Sequence, residues 1–242
     1  LAMSSSEIKK SIGNFNSSYV ILTGVVMGVA SAMSASMLPS IVNSKEKKEY
    51  GVIKEKIYAT IKANMFVAMP SFIGLIVLGR QIVQLLFARY DSSQGGMMLK
   101  IGAIAVVFYT ISTVTSSALQ GIDKMNIPVI HSFISLIIHV VLVFLLLRYT
   151  NLGIYAIVIG NATFPIAIFV LNLVSLNKYI GYTQEVIKTF IIPLLCAIFM
   201  GIMTGITYNL FYLLSSRNII ALFFAFIMAG VSYFVPMFIC KK

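Results

Sequence analysis

Seven apolar stretches of roughly 20 residues, separated by short polar turns, constrain this 242-residue chain more than any other feature. About 20 apolar residues are what a helix needs to cross some 30 Å of hydrocarbon. The clearest case is Ser117 to Ala162. One stretch ends at Leu119, a polar turn covers 120–127, a second stretch runs uncharged from Pro128 up to Arg148, and a four-residue turn leads to a third at Gly153. Turns this short hold no domain. A segment inside hydrocarbon must satisfy its own backbone polar groups, which leaves helices or closed barrels. Barrel strands would alternate in polarity over about ten residues, and these stretches do not. The chain therefore reads as an all-α polytopic membrane protein with seven transmembrane helices. Only 10% of residues are charged, against about a quarter in a soluble domain.

Residues 1–18 form a polar N-terminal segment, in which Ser4 and Glu7 fit a capping box ahead of a short helix near Ile8. Five spans follow at about 19–39, 57–79, 97–119, 128–148 and 153–175. Residues 176–242 carry a final helix pair at about 189–213 and 219–240. A charged loop covers 43–56, and 80–90 reads as a separate amphipathic piece at the interface. Seven crossings put the ends on opposite sides. One side collects eleven Lys, including Lys241 and Lys242, and the other seven Lys and Arg. The excess places the C-terminus in the cytoplasm and residue 1 outside. The net charge of +11 is thus a matter of topology and calls for no nucleic acid. Cys196 and Cys240 lie in apolar spans and read as buried free thiols. A start at Leu1 with no signal peptide suggests a fragment whose upstream part is missing.

Polar residues inside the spans fall in helical stripes. Thr113, Ser117 and Gln120 align on the third span, His131, Ser135 and His139 on the fourth, and Asn161, Pro165 and Asn172 on the fifth. Such stripes either cross-link helices by hydrogen bonds or line a wet cavity for a polar cargo. Gln120, Asn126, His131, His139, Asn161 and Asn172 are the candidate cavity residues. Neither histidine has an acidic partner in its span, so proton carriage and metal binding are the weaker readings. Gly24, Gly28, Ala32 and Ser36 recur every four residues on the first span, a spacing that lets helices pack closely or slide. Pro70, Pro165 and Pro193 are candidate kinks. Lys54, Tyr58 and Lys62 stand at i, i+4 and i+8 at a cytoplasmic mouth, where the lysines either snorkel to anionic lipid or receive a phosphate.

The spans carry no lysine placed for a retinal Schiff base, no carboxylate set, and no nucleotide-binding or hydrolase motif. No enzyme, cofactor or metal is expected.

Two stretches carry a family likeness. MLPSIVNSKEKKEYGVIKEKI, with the Pro70 span and RQIVQLLF after it, resembles the segment following the eighth helix of multidrug/oligosaccharidyl-lipid/polysaccharide (MOP) flippases. SALQGIDKMNIPVIHSFISLIIHVVLVFLLL and LGIYAIVIGNA resemble that family's "LQGxGK…P…N" turn and the helices around it, with Asp123 where Gly is usual and His131 where Asn is usual. Within the family the likeness is to the stage V sporulation protein B and MurJ-like branch. The resemblance implies fourteen helices in two lobes plus a final pair, of which this chain would be helices 8 to 14, the N-terminal lobe being absent. It implies a bacterial plasma membrane location, membrane lipid and a lipid-linked saccharide or peptidoglycan precursor as partners, and flipping by alternating access. A cation-coupled drug exporter of the same superfamily and a non-transporting scaffold for cell-wall synthesis are the rival expectations.

Overall fold

The computed structural model describes residues 5–239, which are helical apart from short connections. The helices are α1 (Ser5–Asn14), α2 (Ile21–Glu46), α3 (Tyr50–Leu86), α4 (Ser92–Gly102), α5 (Ile104–Gly121), α6 (Asn126–Tyr149), α7 (Ile154–Ile180), α8 (Ile192–Ser215) and α9 (Asn218–Ile239). Ser4 of the capping pair, Cys240, Lys241 and Lys242 lie outside the described residues. Seven of the described helices are long and apolar enough to cross a membrane.

Three local readings of the sequence are corrected. First, α1 passes through a π-helical stretch, Phe15–Val20, into α2, so the helix is continuous from Ser6 to Glu46. A π turn widens the helical ladder, and nearby hydroxyls bond back to it: Ser18 donates to the Asn14 carbonyl at 2.6 Å and Thr23 to that of Tyr19 at 2.7 Å. The helix runs past the expected end of the first span at 39, with Pro39 inside it. The charged loop shrinks to three residues, Lys47–Glu49, with Lys48 at φ 60°. Second, residues 80–86 are the end of α3 and not a separate interfacial piece. Third, the stretch at 97–119 is divided by Ala103, and α5 alone is its spanning part. The short α4 is capped by Asp91, whose carboxylate accepts from the backbone of Ser93 at 2.8 Å and Gln94 at 3.3 Å.

The residues group into two compact units. One holds residues 25–68 and 104–189. In it, α7 packs on both α5 and α6. Ile53, Ile57, Ile61 and Met65 give α3 a fully buried edge there. Lys56 ties α3 to the end of α2, its ammonium donating to the Ser40 carbonyl at 3.0 Å and the Ser44 hydroxyl at 2.7 Å. A cation at a helix C-terminus answers the carbonyls left over there. Gly121 brings α5 against α2: a Cβ at that position would stand 2.6 Å from Ile41 Cγ2. The other unit holds the N-terminal residues through Gly24, 69–103 and 190 onward. Its α8 and α9 pair closely, and α4 packs on α1 and the π stretch.

Candidate functional site

Asn172 is the centre of the polar packing in the first of these units. It sits on α7, fully buried. Its Nδ2 donates to the hydroxyls of Ser116 at 2.9 Å and Thr115 at 3.1 Å, both on α5. Its Oδ1 accepts from His131 Nδ1 on α6 at 2.7 Å. One side chain thus joins three spanning helices. Because the amide nitrogen already donates to α5, its oxygen is the acceptor, and the proton of neutral His131 resides on Nδ1. His131 Nε2 then accepts from Ser175 at 3.4 Å.

His139 makes a second link between α6 and α7. Its Nδ1 donates to the Gly160 carbonyl at 2.8 Å. A carbonyl can only accept, so this ring too carries its proton on Nδ1. The approach depends on Gly160: a Cβ there would lie 3.0 Å from His139 Cε1 and clash with Val143. Ser135, between the histidines on the same face, is also fully buried.

The other sequence candidates fall elsewhere. Gln120 is half-buried near the end of α5 and Asn161 half-buried beside Gly160, neither joined to the Asn172 network. Asn126 is exposed and lines a separate cavity with residues 123–127 and Tyr179. Lys54 and Lys62 occupy a half-buried edge of α3, with the Lys62 ammonium 5.6 Å from the Tyr58 ring centre. Pro70 and Pro165 lie within α3 and α7. Pro193 is in the first turn of α8, just after a π stretch at Ile187–Ile191, and lies within the spanning helix Ile187–Ser215. Gly24, Gly28 and Ala32 are exposed, and among the described residues nothing lies within 4 Å of a Cβ built on either glycine. Among the described residues no group of three or more His, Cys, Asp or Glu could hold a metal ion.

Ser112, Thr115, Ser116 and Ser175 were not singled out in the sequence. They recur at i, i+3 and i+4 on α5 and three residues after Asn172, a spacing as regular as that of Thr113, Ser117 and Gln120. Thr113 instead bonds back to the Tyr109 carbonyl of its own helix at 2.8 Å.

Outside the spans, Tyr182 is buried and donates to Gln184 Oε1 at 2.8 Å, and burial pushes its phenol well up. Glu185 accepts from the backbone N–H of Lys188 at 2.8 Å and the Thr189 hydroxyl at 3.1 Å. The backbone hydrogen bond from Lys188 is the main force holding its carboxyl below the usual range.

Known proteins resemble this chain in sequence and in fold. The family model described as "Lipid II flippase MurJ" matches residues 15–240. The chain is 21% identical over 185 residues to the lipid II flippase MurJ of Bacillus subtilis, covering 75% of this chain and 34% of the relative. It is 24% identical over 217 residues to a probable lipid II flippase MurJ of Bdellovibrio bacteriovorus, covering 85% and 40%. Against one of Aquifex aeolicus it is 25% identical over 181 residues, covering 68% and 34%. The chain thus spans about a third to two-fifths of the length of these curated relatives. A solved structure of lipid II flippase MurJ in an inward closed conformation superposes with a TM-score of 0.72 at 20% identity, over 93% of this chain and 46% of that one. That likeness bears on the fold, and the family match on descent: this multi-pass membrane chain belongs to the MurJ lipid II flippase family.

Proposed function

We propose that this chain serves as the C-terminal lobe of a flippase that carries a lipid-linked peptidoglycan precursor across the bacterial plasma membrane by alternating access. The observation that carries the reading is the family match over residues 15–240. The share of the relatives' length that it spans supports a role as one part of a larger transporter, completed by an N-terminal lobe. The excess of lysine on one side supports a cytoplasmic C-terminus.

In this reading the Asn172 network holds α5, α6 and α7 as one body while the lobes rock. Gln120, His139 and Asn161 are the polar groups left to meet the cargo, and Lys54 and Lys62 meet its phosphates at the cytoplasmic mouth. Lysine suits that task as a mobile point charge able to follow a phosphate.

Rescue of a flippase-depleted bacterium by the gene encoding this chain tests the reading. Lys54→Ala with Lys62→Ala should abolish rescue while the protein still accumulates in the membrane. Full rescue by that pair would remove the lysines from the path. Transfer of labelled precursor across liposomes by the purified transporter with both lobes present would exclude a scaffold, and its absence would favour one.

A further inference from the structure

The turn between α5 and α6 carries a cavity of about 420 Å³, lined by residues 123–127 and Tyr179. Three spanning helices stop at its level: α5 ends at Gly121, α6 starts at Asn126 and α7 ends at Ile180. The cavity therefore sits where hydrocarbon gives way to water.

Its charge is uneven. The Lys124 ammonium lies 4.8 Å from the Tyr179 ring centre and that of Lys178 lies 5.9 Å from the same ring. A tyrosine face attracts each cation, so two positive charges gather about the one ring that lines the cavity, Lys124 from the lining itself and Lys178 from beside it. The one carboxylate lining the cavity, Asp123, is engaged by Lys45 in an ion pair. Among the described residues neither ammonium group is in an ion pair. The positive end of α6 adds to the same field. Asn126 stands exposed at the lip with an amide to offer. Met125, which lines the cavity, and Val129 and Ile130, a turn further along α6, are 65%, 67% and 56% exposed and lead into the apolar surface of α6.

An anionic group above an apolar track is the shape of a phospholipid. We propose that this cavity binds the phosphodiester headgroup of an anionic membrane phospholipid, with Lys124 and Lys178 on the phosphate, Asn126 on the polar headgroup, and an acyl chain along Val129 and Ile130. A free phosphate would satisfy the lysines and leave the apolar track unused.

The test is a thermal-melting titration of the purified protein in dodecyl maltoside micelles. Phosphatidylglycerol should raise the melting temperature saturably, while phosphatidylcholine and inorganic phosphate should not. K124Q/K178Q should weaken the apparent affinity about thirtyfold, at about 1 kcal/mol for each lysine near an anionic surface. K47Q/K48Q removes the same charge from the exposed α2–α3 turn and should titrate like the parent. D123N should tighten binding several-fold, because it deletes the carboxylate and releases Lys45, and Asn tolerates the left-handed backbone at φ 58°. An equal response to phosphatidylcholine, a full shift with inorganic phosphate, unchanged binding in both cavity variants, or an equal loss in K47Q/K48Q would each overturn the proposal.

Discussion

The packing of α5, α6 and α7 is made by directed hydrogen bonds, whereas that of α3, α8 and α9 is made by volume. In the first, Asn172 and His139 reach across helices to named acceptors and donors at 2.7–3.1 Å. In the second, Leu78, Tyr208, Ala221, Leu222 and Ala225 form an apolar cluster, and the Phe211 and Phe224 rings stack with centres 4.0 Å apart. Gly201 lets α8 close on α3, since a Cβ there would stand 2.5 Å from Ile73 Cγ2. At one end of this second group Tyr208 donates to Asn218 at 3.0 Å and Asn218 to the Gln81 carbonyl at 3.0 Å. Lipid tails are as apolar as leucine, so burial alone does not draw helices together in a membrane. A hydrogen bond fixes the rotation of each helix about its own axis. Matched volumes fix separation and leave rotation freer.

That contrast can be broken most sharply at Asn172. Asn172→Leu removes the acceptor of His131 Nδ1 and the donor to two α5 hydroxyls at once, and should cost about 2–3 kcal/mol, since single interhelical bonds in membranes run from roughly 0.6 to 1.7 kcal/mol. Denaturation in mixed micelles measures it. A loss below about 0.5 kcal/mol would mean that the network does not bind the three helices together.

Gly201→Val is the matching test of volume and should cost about 1–2 kcal/mol by overpacking against Ile73. Restoring space with Ile73→Ala in the same chain should recover part of that loss. If the double variant is as unstable as the sum of the singles, the contact is not where the energy lies.

Gly24→Ala and Gly28→Ala sharpen the comparison from the other side. Nothing crowds either position among the described residues, so each change should leave the protein unharmed or more stable by up to about 1 kcal/mol, through helix propensity. A clear destabilisation would reveal a tight packing partner for that stripe.

The smallest effect belongs to Glu185, in the connection between α7 and α8. Its carboxyl is held below the usual range, chiefly by the Lys188 backbone N–H. The unfolded chain therefore takes up this proton at higher pH than the folded one. The contribution is complete above the ordinary glutamate range, near 4.3, and disappears as pH falls through the lower folded value. Melting temperature should drop on acidification through that window, and Glu185→Gln should flatten the slope. An unchanged slope would show that the cap contributes nothing.

Seven spans were legible because hydropathy and length decide them. The face that each span turns inward was less so. His131, His139 and Asn172 stood out as rare polar groups in apolar runs, and all three make interhelical bonds. On α5 the Ser and Thr residues are too many for spacing to choose among them: Ser112, Thr115 and Ser116 meet Asn172, whereas the stripe of Thr113, Ser117 and Gln120 does not. A soluble helix would have shown its inner face by contrast with charged residues outside. A helix in lipid is apolar on both faces, and that contrast is lost. The end of α3 was misread for a related reason. Arg80 and Gln81 look like the start of a surface piece, yet the backbone continues unbroken to Leu86.

The length of α3 has a mechanical meaning. Thirty-seven residues of helix run to about 55 Å along the chain at 1.5 Å per residue, against roughly 30 Å of hydrocarbon. Even tilted by about 40°, the steep end of what spanning helices adopt, it would leave roughly ten residues beyond the oily layer. The first turns, with Lys54, Glu55 and Lys56, are the polar end suited to stand in water. Such a mast feels the thickness of the bilayer: longer acyl chains draw more of it inward and steepen it, and shorter chains let it lean. Acyl-chain length thereby becomes a control on how far the Lys54–Lys62 edge stands above the membrane.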